Sequence, residues 1–224
     1  MIRAAGPVIP VPDSGYARGM VERSFGLKGW VGPWLAGHWV AGAGFMAAAL
    51  VATVPLLAAT APLPLLLIFL HSPAYMLHQV EEHAGDRFRR FANAVVFGGR
   101  EGLSTAGVLV INVGVVWGLN LAALYAALLW GPGYGLVAPY AVLVNGLTHI
   151  GARLRLGVYN PGLVTAVALF LPLGLVTIAV VASQPGVDWR FHAAALAAAL
   201  LLHLAIIAHV AWRLRRLGRA APRG

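Results

Sequence analysis

Residues 63–83 read LPLLLIFLHSPAYMLHQVEEH. Fifteen residues with no Asp, Glu, Lys or Arg lead into His78-Gln79-Val80-Glu81-Glu82-His83. A lipid-length apolar run that closes on two adjacent carboxylates and two histidines is a membrane span with a polar end. The chain has only seven acidic residues in 224, and two stand side by side here. Charge that concentrated needs either an exit to solvent or a chemical task.

Outward from this stretch the same composition repeats. The chain is 60% apolar and 10% charged, against about 25% charged in soluble domains. The expected fold is all-α: a polytopic helical bundle of about six spans. They run near Trp34–Ala58, from Leu63 into the motif, Leu103–Trp130, Leu136–Ile150, Pro161–Ala182 and Phe191–Trp212. Residues 1–32 read as a cytoplasmic or interfacial segment, with Met20 to Leu27 on the membrane surface, 33–212 as the transmembrane domain and 213–224 as a basic tail. The N-terminus has no signal-peptide pattern and reads as a mature tail. There is no cysteine, so no disulfide framework and no thiolate metal site.

The net charge of +9 does not point to nucleic acid, because the cations flank the apolar runs. Arg87, Arg89, Arg90 and Arg100 follow the second span, Arg153 and Arg155 the fourth, and Arg213, Arg215 and Arg216 the last. The 59–62 and 131–135 turns carry no charge. The positive-inside rule then places both termini in the cytoplasm. That topology brings His38, the His78–His83 motif, Asn145, His149, Arg153 and His209 to one depth, from four helices.

Spacing narrows the set. Glu81 and Glu82 lie three and four residues after His78 and share its helix face, and His71 and Tyr75 continue that stripe. His83, five after His78, is about 140° away on a continuing helix, and joins the site only if the helix ends there, as Gly85 would allow. Asn145, His149 and Arg153 form a second stripe at four-residue intervals. Carboxylate and imidazole donors suit Fe, Zn or Mn. His78, Glu81, Glu82 and His149 are the expected ligands, with His83 as a further donor and one or two ions bound. Asn145, Arg153 and Tyr159 are expected to support them or touch substrate. Asn160 and Pro161 read as the cap and first residue of span five, whose N-terminus would favour an anion.

Other motif readings fit less well. His-x-x-Glu-Glu-His has one residue more than the inverted zinc-protease pattern His-x-x-Glu-His, which moves the second histidine off the face. Gly98-Gly99-Arg100-Glu101 lacks the Lys-Ser/Thr of a phosphate loop.

The combination of His78-Gln79-Val80-Glu81-Glu82, Asp86-Arg87-Phe88 to Ala92-Asn93, Asn145 with His149, and Tyr159-Asn160-Pro161-Gly162-Leu163-Val164-Thr165 resembles the HXXEE membrane proteins over roughly residues 60–182. His83-Ala84-Gly85 departs from the Tyr or Phe and Pro-Gly common after the two glutamates there. The resemblance implies a bacterial multi-span inner-membrane protein and no established reaction. The expected function is a metal-dependent membrane enzyme, with a carboxylate/histidine site that includes the non-haem iron case, acting on a lipophilic substrate near the cytoplasmic leaflet. Two alternatives stay open: a metal-free isomerase or terpenoid cyclase with Glu81 or Glu82 as proton donor, and a proton-coupled transporter or lipid-binding scaffold. Against the transporter, the sequence has no internal inverted repeat.

Overall fold

A computed structural model describes residues 31–220, so the expected surface segment around Met20 to Leu27 lies outside the described residues. The described residues are helical, with no strand. Among the described residues six helices are long and apolar enough to cross a membrane: α1 (Trp34–Thr60), α2 (Leu63–Val96), α3 (Thr105–Trp130), α4 (Pro132–Leu156), α5 (Leu163–Ala182) and α6 (Trp189–Arg219). The chain is a helical, multi-pass membrane protein by this measure. Helix α4 extends past the expected end at Ile150 through Arg153 and Arg155, and Gly157 then takes a left-handed φ of 69° at its C-cap.

Helix α2 is the centre of the bundle and packs against α1, α3, α4 and α5, while α6 lies on α4. The reason is compositional: α2 carries the polar residues that lipid would not accept. His71, His78 and Gln79 are completely buried. The apolar side chains face outward instead, as at Phe45, Leu154 and Leu201. Exposed Trp34 and Trp212 mark one end of the bundle, and exposed Trp130, Tyr134 and Trp189 mark the other, the positions expected of two interfacial belts. The motif and all the described arginines except Arg190 lie at the end that carries Trp34 and Trp212.

Gln79 fastens α2 to α3. Its Nε2 donates to Asn112 Oδ1 at 3.1 Å and to Asn112 O at 3.2 Å, and Trp117 Nε1 donates to its Oε1 at 2.8 Å. Both partners stand in a π-helical segment, Val110–Trp117; two others are Ala92–Val96 and Ala166–Phe170. Such wide turns often mark functional sites. Gln79→Leu would leave the Trp117 N–H and the Asn112 amide without their partner. It should lower stability by about 3 kcal/mol, read from thermal unfolding in detergent, and leave helix content unchanged in far-UV circular dichroism.

The first α-helical stretch of α2 ends at His83. Gly85 and Asp86 both take left-handed φ values, 63° and 61°, and redirect the chain into Arg87–Phe91. Asp86 then pairs with Arg89, and Glu101 ties Arg89 to Arg213 on α6. This segment covers the end of α2 and carries Phe88 over the motif.

Candidate metal centre

Three donors converge. His78 and Glu82 come from α2 one turn apart, and His149 comes from α4. One ligand atom of each lies within 4.8 Å of the other two. All three are buried. His78 Nε2 is 3.5 Å from Glu82 Oε2, and His149 Nε2 is 3.5 Å from Glu82 Oε1. Each imidazole therefore faces one oxygen of the same carboxylate.

The far side of each ring fixes its tautomer. Thr165 Oγ1 has one proton and gives it to Glu81 Oε2, a carboxylate that can only accept. It must therefore accept the His78 Nδ1–H, 2.8 Å away. Asn160 Nδ2 donates to the His149 carbonyl at 3.0 Å, which orients the amide and leaves Oδ1 to accept His149 Nδ1–H at 2.7 Å. As neutral imidazoles both rings then hold their proton on Nδ1 and present an Nε2 lone pair to Glu82. Two lone pairs directed at one carboxylate repel unless a proton or a metal cation lies between them.

The two glutamates of the motif occupy different places. Glu82 faces the imidazoles. Glu81 is turned to the start of α5, where Val164 N donates to Oε1 at 3.0 Å, Thr165 N donates to Oε2 at 2.7 Å, and Tyr159 OH donates to Oε1 at 2.6 Å. The anion expected at that helix N-terminus is this side chain. Glu81 still acts on the cluster, through Thr165 to His78.

Two readings from sequence are corrected. Asn160 does not cap α5 with its side chain and Pro161 is not its first residue: the helix begins at Leu163 after Gly162, which has a left-handed φ of 96°, and the Asn160 amide is committed to His149. His38 and His209 share the depth of the site but not its direction. His38 is exposed and bonded to the Trp34 carbonyl at 2.8 Å, and His209 is exposed and lies tilted against the Trp212 ring. Depth along a helix does not fix the face, and α1 presents Trp39 to the site, next to His83.

His83 reaches the cluster because the helix stops there. Its Nε2 is 2.9 Å from Glu82 Oε2, although neither ring nitrogen has hydrogen-bond geometry to any described residue. Asn145 lies one turn from His149 on α4, and its Oδ1 is buried without a partner among the described residues. Arg153 is exposed and has no ion pair among the described residues.

The residues that sequence reasoning missed are those that enclose the site. Phe170 packs on His78 at 4.4 Å between ring centroids and Phe88 packs on His149 at 6.0 Å. Gly162 closes the remaining side: a Cβ there would stand 2.7 Å from Cε1 of both His78 and His149. The one available signal was a glycine inside Asn160-Pro161-Gly162, ahead of a helix.

Tyr159 is 48% exposed at the rim. Burial, followed by its bond to Glu81, raises its phenol from 10.0 to about 12. A phenol whose folded value is raised contributes stability that is complete below pH 10 and is lost as pH rises through 12. The difference absorbance titration of wild type minus Tyr159→Phe should show tyrosinate forming near 12. Formation near the free value of about 10 would mean that the bond to Glu81 is not made in solution.

One family model, described as a protein of unknown function with HXXEE motif, matches residues 69–177, which include every donor above. No curated protein and no solved structure matches the chain. The motif and its two supporting segments are the parts that meet at the cluster, and all of them lie within residues 69–177, the stretch that matches the HXXEE-motif family model.

Proposed function

We propose that the protein is a multi-span membrane enzyme in which His78, Glu82 and His149 hold one divalent metal ion, and that it acts on a lipophilic molecule entering from the bilayer. The observation that carries this reading is the pair of Nε2 lone pairs directed at the two oxygens of one buried carboxylate, each at 3.5 Å. With metal–donor bonds of about 2.0–2.1 Å, neighbouring donors of a tetrahedral ion stand about 3.3 Å apart. A direct hydrogen bond would draw them to about 2.9 Å. The donor chemistry fits, and so does the support behind it, since metal-binding histidines commonly give their other N–H to a fixed acceptor.

Two histidines and one carboxylate leave coordination positions free, as in non-haem iron oxygenases and catalytic zinc sites. A bound ion there supplies Lewis acidity and lowers the pKa of bound water. The chain's own residues do the rest. Thr165 and Asn160 hold the Nδ1 proton of each ring and aim both Nε2 atoms. Phe88 and Phe170 exclude bulk water, and Gly162 lets the Asn160–Gly162 strap lie directly against the two rings. Three donors make the one-ion form the better fit, with Glu81 as an anchor rather than a ligand. The lipophilic substrate is supported by this aromatic lining within a lipid-facing bundle, and the cytoplasmic location by the basic segments at the same end.

Elemental analysis of the full chain, purified in detergent without chelators, tests the reading. About one Fe, Zn or Mn per chain is expected, and His149→Ala should abolish it. A wild-type protein that binds none of the three on reconstitution sinks the proposal.

A further inference from the structure

A second polar level lies deeper in the bundle. His71 is completely buried on α2 and Asn120 is 3% exposed on α3. His71 is eight residues from the start of α2, about 12 Å at 1.5 Å per residue, and Asn120 is ten residues from the end of α3, about 15 Å. Both therefore sit near the middle of a hydrocarbon core about 30 Å thick. The α2–α3 register sets them level. Gln79 is bonded to Asn112, Tyr75 shares a core cluster with Val116, and Ile68 shares one with Ala127. His71 and Asn120 come next in this ladder.

Each presents a bare acceptor. Thr177 Oγ1 gives its proton to the Leu173 carbonyl at 2.7 Å, so at 3.0 Å it accepts His71 Nε2–H. His71 Nδ1 is then a lone pair, and no described residue donates to it. Asn120 Nδ2 donates to the Val116 carbonyl at 3.1 Å, which fixes the amide and leaves Oδ1 equally unpartnered. Two acceptors cannot satisfy each other. Left bare at the centre of a membrane, each costs several kcal/mol. The smallest group that serves both is one molecule with two O–H donors.

We infer that the α2–α3–α5 interface holds a bound water molecule at the bilayer midplane, donating one O–H to His71 Nδ1 and the other to Asn120 Oδ1. It lies on the same face of α2 as His78 and Glu82, about 16 Å from Glu82 along the helix, and does not depend on metal binding. It makes His71 part of an interior hydration site instead of a packing residue.

The test uses Asn120→Leu, His71→Phe and the double variant in the full chain. Removing an acceptor that a shared water satisfies should lower Tm by about 2–4 °C, and the double variant should lose little more than either single one. X-ray radiolytic labelling, which generates hydroxyl radicals from bound water, should mark Tyr75, one turn along the same face, and the mark should vanish in Asn120→Leu. A rise in Tm in either single variant would show that the acceptor was bare, because a buried unpaired group is better replaced by hydrocarbon. That rise, additive losses or an unlabelled Tyr75 would each overturn the inference.

Discussion

Glu82→Gln is expected to lower metal affinity far more than Glu81→Gln. The amide introduced at position 82 would keep the volume and remove the charge that faces His78, His149 and His83, so no anionic donor would remain in the cluster. Affinity should fall by more than about a hundredfold, outside the range of roughly 10–100-fold typical when a group behind a ligand is lost. Glu81→Gln should stay inside that range, because Glu81 reaches the cluster only through Thr165 and His78. Thr165→Val should match Glu81→Gln, and Thr165→Ser should restore binding. Competition with a chromogenic chelator gives the affinities, and the visible spectrum of the cobalt-substituted protein reports whether His78 is still aimed. If the two glutamine variants lose affinity equally, the division of labour within the motif is wrong.

Gly162→Ala should be the most damaging single methyl addition near the site. The residue has a φ of 96°, which an L side chain rarely adopts, and the new Cβ would lie 2.7 Å from both imidazole Cε1 atoms. The left-handed backbone costs about 1–2 kcal/mol and overpacking about 1–3 kcal/mol, so a loss of about 2–5 kcal/mol follows. Neither ring can yield: His78 is held by Thr165 and Phe170, and His149 by Asn160 and Phe88. The chain should relieve the clash by lifting the strap from the rings. Thermal unfolding and metal content measured on one preparation should fall together. Gly157→Ala also meets a left-handed φ, at 69°, but nothing lies within 4 Å of its new Cβ, so it should cost stability and spare the metal.

The six spans were legible because lipid imposes length and composition, and basic loops separate them. The His78–Glu82–His149 cluster was legible in part. One-turn spacing put His78 and Glu82 on one face, and the shared depth of spans two and four suggested His149. The difference between Glu81 and Glu82 was not legible. Both satisfy the same spacing rule, and only the place where α5 begins decides which one turns toward it. His38 and His209 share the depth of the site and point away from it, a rotation that hydropathy does not encode. Asn160 looked like a cap from its immediate neighbours, but its amide is drawn to His149, eleven residues away, and local sequence cannot reveal that competition.

The three π-helical segments make the number of residues matter as much as their kind. Each accommodates one residue more than an α-helical turn would, so everything beyond it is rotated by about 100° relative to an uninterrupted helix. Ala166–Phe170 separates Thr165, which holds His78, from Thr177, which holds His71. Only with that extra residue in place do both threonines face α2. A one-residue deletion there would leave every side chain named above in the sequence and still turn one threonine away, and so would an insertion. Homologous chains can therefore be aligned through α5 and α3 only by conserving length across these turns, even where the residues themselves vary.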